Sequence, residues 1–461
     1  MQAGSGGSLA FVAAVFFVYW SCSRYRLLRL ALVLAANYLF CVHFGLLYVA
    51  LIPACSGLDF LAGLGLVRFR RRGIRLSLVA LSVAVNLALL AGSRHMALLV
   101  RLAGSATGWD WVFPLGLSFY SLQSLTYTIE LYRRDAEGTT SPLTYLAAAS
   151  FFPTLQAGPI TRLPDLVKQL AARPHLSRED GGRAFFLIGL GLLKKTLIAD
   201  YLALNLVNRV FDTPNLYSGL EALIAVYAYS LQLYYDFSAY TDIARGFALL
   251  LGIKLPINFD RPYQSANLTE FWRRWHISFS NWLRDYVYFS LPGNRTRLMP
   301  YVNLVITMVL AGLWHGITWP FAVWGLLHGA GLAGTRAWLR WRGQPGPISK
   351  PWRRTIAVIC TYHFVCFTWL FFRSRSLSDA AAMLGRIASL TPGFENISLT
   401  IAAVTLVSAA ALCVSRQIYT RTMEAFAQRP FYVHAVVLVI VAAAIELTAG
   451  RGNAPFIYSR F

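Results

Sequence analysis

Long stretches of this chain carry no Asp, Glu, Lys or Arg. Such runs extend from Leu30 to Leu58, Leu76 to Ser93, Trp111 to Ile129, Thr355 to Phe372 and Asn396 to Ser415. Between Leu298 and Thr335 the chain goes 38 residues without one. A helix needs about 20 apolar residues to cross a bilayer, so the shorter runs predict single spans and the longer ones pairs, about 11 membrane helices in all. The fold class expected is all-α, a polytopic membrane domain filling residues 1–461.

The charged residues between the runs orient them. The apolar segment Ser8 to Ser21 follows a polar Gly/Ser stretch without Lys or Arg, so it lacks the basic front of a secretory signal. Cations follow it at Arg24, Arg26 and Arg29. The positive-inside rule puts that end in the cytoplasm and the N-terminus outside. Arg68, Arg70, Arg71, Arg72 and Arg75 form the next cytoplasmic cluster, so helices near 30–46 and 48–66 make an out-and-back hairpin. Arg133 and Arg134 continue the alternation, provided that 76–93 returns outward. Residues 142–160 are apolar but broken by Pro153, Gly158 and Pro159, with cations at Arg162, Lys168 and Arg173 beyond. That pattern predicts a re-entrant segment, whose irregular backbone survives at depth only if buried in protein or lining a wet cavity.

Composition agrees and narrows the classes. The 461 residues are 57% hydrophobic and 13% charged, against about 25% charged for soluble domains. A soluble enzyme, a disordered chain and a collagen-like chain are excluded. The net charge of +22 raises nucleic acid as a partner, but the cations lie between apolar runs and build no continuous basic domain. The six cysteines contain no CxxC pair and read as small hydrophobes within helices.

Asn267 to Arg297 interleaves aromatics and charge. Phe271, Trp275, Phe279 and Trp282 repeat at helical spacing, and Arg273, Arg274 and Arg284 supply cationic edges. From the residues alone this reads as an amphipathic helix anchored at the membrane interface. Among the eight histidines, His43, His363 and His434 sit alone on apolar runs, and His95 at a basic loop edge. His175 opens an HX4D match, but Ser177 and Asp180 read more simply as a helix-start cap. His315, in Leu-Trp-His-Gly within the 38-residue run, is desolvated, which favours the neutral form a general base needs. Gly312 and Gly316 beside it let a backbone or a substrate approach closely. An ionisable group inside a span is a functional-site hypothesis by default, the alternative being a histidine that bonds a neighbouring helix. Asp236 and Asp242, six apart, read as anchors for Arg or Tyr rather than as a catalytic pair or a metal site.

Several segments follow one another in order: PLGLSFYSLQSLTYTIELYRR from Pro114, FFPTLQAGPITR from Phe151, KKTLIADYLA from Lys194 and LQLYYDFSAYTDIARG from Leu231. LPINFDRPY from Leu255, FWRRWHISFSNWLRDYVYFSLPGNR from Phe271, LAGLWHGITWPFAVWGLLHG from Leu310 and the terminal PFIYSRF complete them. In this order they resemble the membrane-bound O-acyltransferase family, in its bacterial alginate O-acetylation and D-alanyl transferase branch. The motif-bearing core is 110–340; elsewhere the likeness is mainly in hydropathy. One departure is Leu291-Pro292-Gly293-Asn294-Arg295, where the family usually has Leu-Gly-Gly-Asn-Arg, which puts that loop's contact with donor or partner in doubt.

The resemblance implies helices around a central tunnel in the bacterial plasma membrane. It places the catalytic histidine at His315, a second functional one at His276, and a structural or assisting one at His328. Carried with them as substrate-binding or site-supporting candidates are Trp314, Trp272, Trp275, Arg273, Arg274, Asp236, Asn281 and Arg284. It implies an acyl group moved from a cytoplasmic thioester, acetyl-CoA or an acyl-carrier protein, to a hydroxyl of an exported polysaccharide or to an extracytoplasmic partner enzyme. No tightly bound cofactor, no metal and no nucleic acid is expected. Arg273, Arg274 and Lys194 are candidates to attract the anionic donor, the alternative being topogenic charge alone. The runner-up within the family is D-alanyl transfer to teichoic acid. Outside it stands a proton-coupled transporter using Asp236, Asp242 and His315, which predicts inverted repeats that the two halves do not show.

Overall fold

The computed structural model describes residues 6–42, 46–102, 116–293, 296–343, 350–449 and 456. Among them every regular element is helical. In chain order these are α1 (Gly6–Ser21), α2 (Arg26–Val42), α3 (Leu46–Arg68), α4 (Arg72–Leu102), α5 (Leu117–Arg133), α6 (Pro142–Ala149) and α7 (Phe152–Leu155). Then come α8 (Leu163–Ala171), α9 (Arg178–Leu193), α10 (Asn208–Asp212), α11 (Gly219–Leu250), α12 (Leu268–Trp272), α13 (Ile277–Trp282), α14 (Met299–His315) and α15 (Trp319–Trp341). The series closes with α16 (Pro351–Arg373), α17 (Leu377–Ala388), α18 (Leu399–Ala411), α19 (Arg416–Ala427) and α20 (Phe431–Ala449). Between α9 and α10 the helix widens into π turns at Lys194–Asp200 and Ala203–Val207.

Three helical segments are long and apolar enough to cross a membrane: Val49–Arg68, Arg72–Leu90 and Pro351–Arg373. α18 and α19 would add a fourth, bent by 95°, and Ala10–Ser21, Met299–His315 and Phe431–Leu447 are shorter apolar helices. The charge-free runs predict about 11 spans, more than length and apolarity alone pick out here. α11 and α15 are long enough, but Tyr, Trp, Gly and acidic side chains dilute them. Residues 1–5, which carry the expected outward N-terminus, lie outside the described residues, as do Asn294, Arg295 and all of the terminal motif after Phe456. The side chains of His43 and His95 also lie outside them.

The described residues fall into two compact units. One comprises Met1–Ile188, Tyr240–Pro256 and Phe426–His434. The break foreseen at 142–160 is real: α6 ends at Ala149 and α7 starts at Phe152, both buried. Asn37 of α2 holds the gap. Its amide donates to the Ala147 carbonyl (3.0 Å) and to Ser150 Oγ (3.1 Å), and its oxygen accepts from the Phe152 amide (2.9 Å). The freed backbone groups are thus satisfied within protein, as depth in a bilayer requires. Two arginines counted as loop charge are buried helix caps instead. Arg29 donates to the Leu170 and Ala172 carbonyls at the end of α8, and Arg75 to those of Leu131 and Tyr132 at the end of α5. Cations suit the negative end of a helix. A buried carboxylate that the sequence pattern leaves unremarked, Asp59 in α3, accepts from Ser82 (2.6 Å), Asn86 (3.0 Å) and Ser124 (2.5 Å). The HX4D match at His175 resolves into the expected cap, with the Asp180 amide donating to Ser177 Oγ at 3.0 Å.

The other unit comprises Gly189–Ala239, Ile257–Ala425 and Ala435–Phe461. At its centre α14 and α15 form a hairpin whose axes close on glycines. A Cβ at Gly312 would run into the Phe321 carbonyl oxygen, one at Gly325 into that of Met308, and one at Gly329 would sit 2.7 Å from Val305 Cα. Small residues let membrane helices approach backbone to backbone. Gly325→Ala is therefore expected to destabilise by about 1–3 kcal/mol through overpacking. Gly334→Ala, which meets nothing nearby, should leave thermal unfolding in detergent unchanged.

The amphipathic anchor expected over 267–297 is not one helix. α12 stops at Trp272, His276 takes a left-handed backbone (φ 44°), and α13 starts at Ile277. The break turns Phe271, Trp275 and Phe279 inward, all buried. They form an aromatic core rather than a lipid-facing stripe.

Candidate active site

His315 is the last residue of α14 and is 4% exposed. Aromatic rings wall it: Trp314 at 4.8 Å between centroids, Phe372 of α16 at 4.9 Å, Trp324 of α15 at 5.5 Å, and Phe279 at 6.0 Å. The helix ends at His315 because Gly316 leaves it in extended backbone, and a Cβ on Gly316 would run into the Phe321 ring at 2.6 Å. The imidazole thus sits buried at the hairpin turn.

Phe279 joins the two candidate histidines. Its ring lies 4.9 Å from His276 in a stacked arrangement, 4.5 Å from Trp314 and 6.0 Å from His315. His276 is fully buried, with Phe237 of α11 edge-on at 4.7 Å. Its positive φ is uncommon outside glycine, although His, Asn and Asp tolerate it best. Such strain persists only when neighbours hold it. Asn258 does so here: its carbonyl accepts from the Ile277 amide (3.0 Å) and its side-chain oxygen from the Ser278 amide (3.1 Å). Asn258 falls inside LPINFDRPY, yet nothing in the residue pattern singles it out.

His328 differs. The Trp272 indole N–H donates to its Nδ1 at 3.3 Å, since an indole can only donate. The proton therefore sits on Nε2, which donates to Thr368 Oγ1 at 2.9 Å, and that hydroxyl donates to the Val365 carbonyl at 2.8 Å. With both nitrogens engaged, His328 ties α12, α15 and α16 together. His328→Ala should cost about 1–3 kcal/mol by stranding these partners, seen as a lower melting temperature, with the donor KM unchanged.

The other candidates divide. Trp272, Trp275 and Trp314 belong to the buried aromatic cluster. Arg274 pairs with Glu270 at 2.7 Å, and Glu270 also holds Arg354 at 3.3 Å. Arg273, Asn281 and Arg284 are exposed, and Arg284 pairs with its neighbour Asp285 at 2.8 Å. Asp236, expected to anchor Arg or Tyr, pairs with Lys195 at 3.0 Å. Asp242, in the other unit, does pair with an arginine, Arg245, at 3.3 Å. His363 is exposed on α16 and bonds the Ile359 carbonyl, while His434 bonds that of Phe426.

Helices long and apolar enough to cross a membrane, with imidazoles buried among aromatic rings, fit an integral membrane protein. The family model described as MBOAT, membrane-bound O-acyltransferase family, matches residues 76–377. The chain belongs to this family and is an O-acyltransferase. It is 37% identical over 386 residues to the probable alginate O-acetylase of Azotobacter vinelandii, covering 80% of this chain and 74% of the relative. It is 34% identical over 306 residues to the peptidoglycan O-acetyltransferase of Helicobacter pylori, covering 60% and 57%. With the teichoic acid D-alanyltransferase of Streptococcus thermophilus it shares 31% identity over 285 residues, 56% of this chain and 68% of the relative.

Proposed function

We propose that this protein moves an acetyl group from a cytoplasmic thioester, acetyl-CoA or an acyl-carrier protein, toward a hydroxyl of an exported polysaccharide. It works from the bacterial plasma membrane, directly or through a separate extracytoplasmic acetyltransferase. The observation that carries the reading is His315, a buried imidazole at the α14–α15 turn inside an aromatic enclosure. His315 takes the proton of the attacking hydroxyl, and His276, across the Phe279 ring, lines the same enclosure. The greater identity with O-acetylating relatives than with the D-alanyltransferase favours acetyl over D-alanyl. Arg273 and Arg284, exposed on the α12–α13 segment, suit contact with an anionic donor. The test is mass analysis of surface polysaccharide from a strain lacking the protein. Loss of O-acetyl groups supports the reading; an unchanged polysaccharide with D-alanine lost from another polymer supports the runner-up.

A further inference from the structure

We propose that Trp324 is a catalytic residue of this site, its indole N–H stabilising the acyl carbonyl oxygen as it gains charge. The proposal rests on acyl transfer at His315. Trp324 is 1% exposed and its ring stands perpendicular to His315 at 5.5 Å. Its position is fixed from other sides by Trp369, stacked at 5.9 Å, by Phe372 at 5.2 Å and by His328 at 4.9 Å. Nε1 is buried and has no hydrogen-bond partner among the described residues. Burying a donor without a partner is costly, and a phenylalanine would fill an aromatic wall without that cost. The neighbouring Trp272 shows the alternative use, its N–H spent on His328 Nδ1. With the ring centroids 5.5 Å apart, a carbonyl bound beside the His315 imidazole would also lie near the Trp324 indole. A rigid donor aimed where charge develops needs no reorganisation during reaction.

The step balances as follows. The acceptor oxygen bonds to the thioester carbon while its proton passes to His315, and the carbonyl π pair moves onto oxygen, where Trp324 N–H donates to it. Collapse restores the carbonyl, breaks the C–S bond and releases a thiolate that takes the proton from His315.

The experiment uses the purified full-length protein, with acetyl-CoA as donor probe. Trp324→Phe and a β-(3-benzothienyl)alanine replacement, which swaps only the N–H for sulfur, are compared with His315→Ala. Loss of one such donor is expected to lower kcat about 10²–10³-fold, with the donor KM unchanged and the melting temperature equal or higher. An unchanged kcat in the benzothienyl protein overturns the proposal, and so does a kcat loss that tracks a fall in melting temperature. Activity persisting in His315→Ala would instead remove the underlying reading, whatever the Trp324 proteins show.

Discussion

Replacing His315 by glutamine is expected to lower kcat for acyl transfer by about 10²–10⁴-fold, the range a general base contributes. Glutamine nearly preserves the volume among Trp314, Trp324, Phe279 and Phe372, so unfolding does not confound the result. It keeps a polar group but cannot cycle a proton near neutral pH. Donor binding should survive, leaving KM close to that of the parent, because the imidazole acts on the acceptor hydroxyl and not on the donor's phosphates. Initial rates across donor concentrations separate the two parameters. The same measurement on His276→Gln should show a smaller loss, since that ring, packed on Phe279, lines the enclosure while His315 takes the proton.

Lys195→Met is expected to destabilise the protein by about 3–5 kcal/mol, the cost of stripping the partner from buried charge. Lys195 Nζ lies 2.7 Å from Asp200 Oδ1 and 3.0 Å from Asp236 Oδ1, and the three side chains are only 12%, 6% and 3% exposed. Without the ammonium, two carboxylates face each other across the π turn. The triple change Lys195→Met, Asp200→Asn, Asp236→Asn should recover most of the loss, because a neutral cluster has no charge to desolvate. Thermal unfolding in detergent reads both. A Lys195→Met protein as stable as the parent would show that the cluster does not hold α11 to the segment after α9.

The sequence made parts of this arrangement legible and hid others for a physical reason. Charge-free runs, helix edges and the break at Pro153 and Gly158 are local properties, written in consecutive residues. His315 stands out because polar residues are rare on apolar stretches, His276 and His328 through the motifs of the family resemblance, and the structure gathers all three into one aromatic cluster. What surrounds them comes from distant segments: Phe237 of α11, Thr368 and Phe372 of α16, and Asn258 from a loop. Nothing nearby in sequence marks them. The Phe271–Trp282 periodicity misled because a helical repeat does not reveal that His276 takes a left-handed backbone and interrupts it. Asp236 was a visible anchor, but its partner Lys195, 41 residues earlier, is set by tertiary packing. Arg29 and Arg75 read as membrane-orienting charge in the sequence, whereas in the structure they cap helix ends.

The central claim, that His315 runs thioester-dependent acyl transfer, is tested most directly with the purified protein in lipid nanodiscs. Free thiol released from acetyl-CoA is followed in the presence of a polysaccharide acceptor. The parent protein should release thiol in step with acetyl ester formed on the acceptor, and the His315→Gln protein should release it about 10²–10⁴-fold more slowly. Thiol release and ester formation that continue undiminished in His315→Gln would contradict the account.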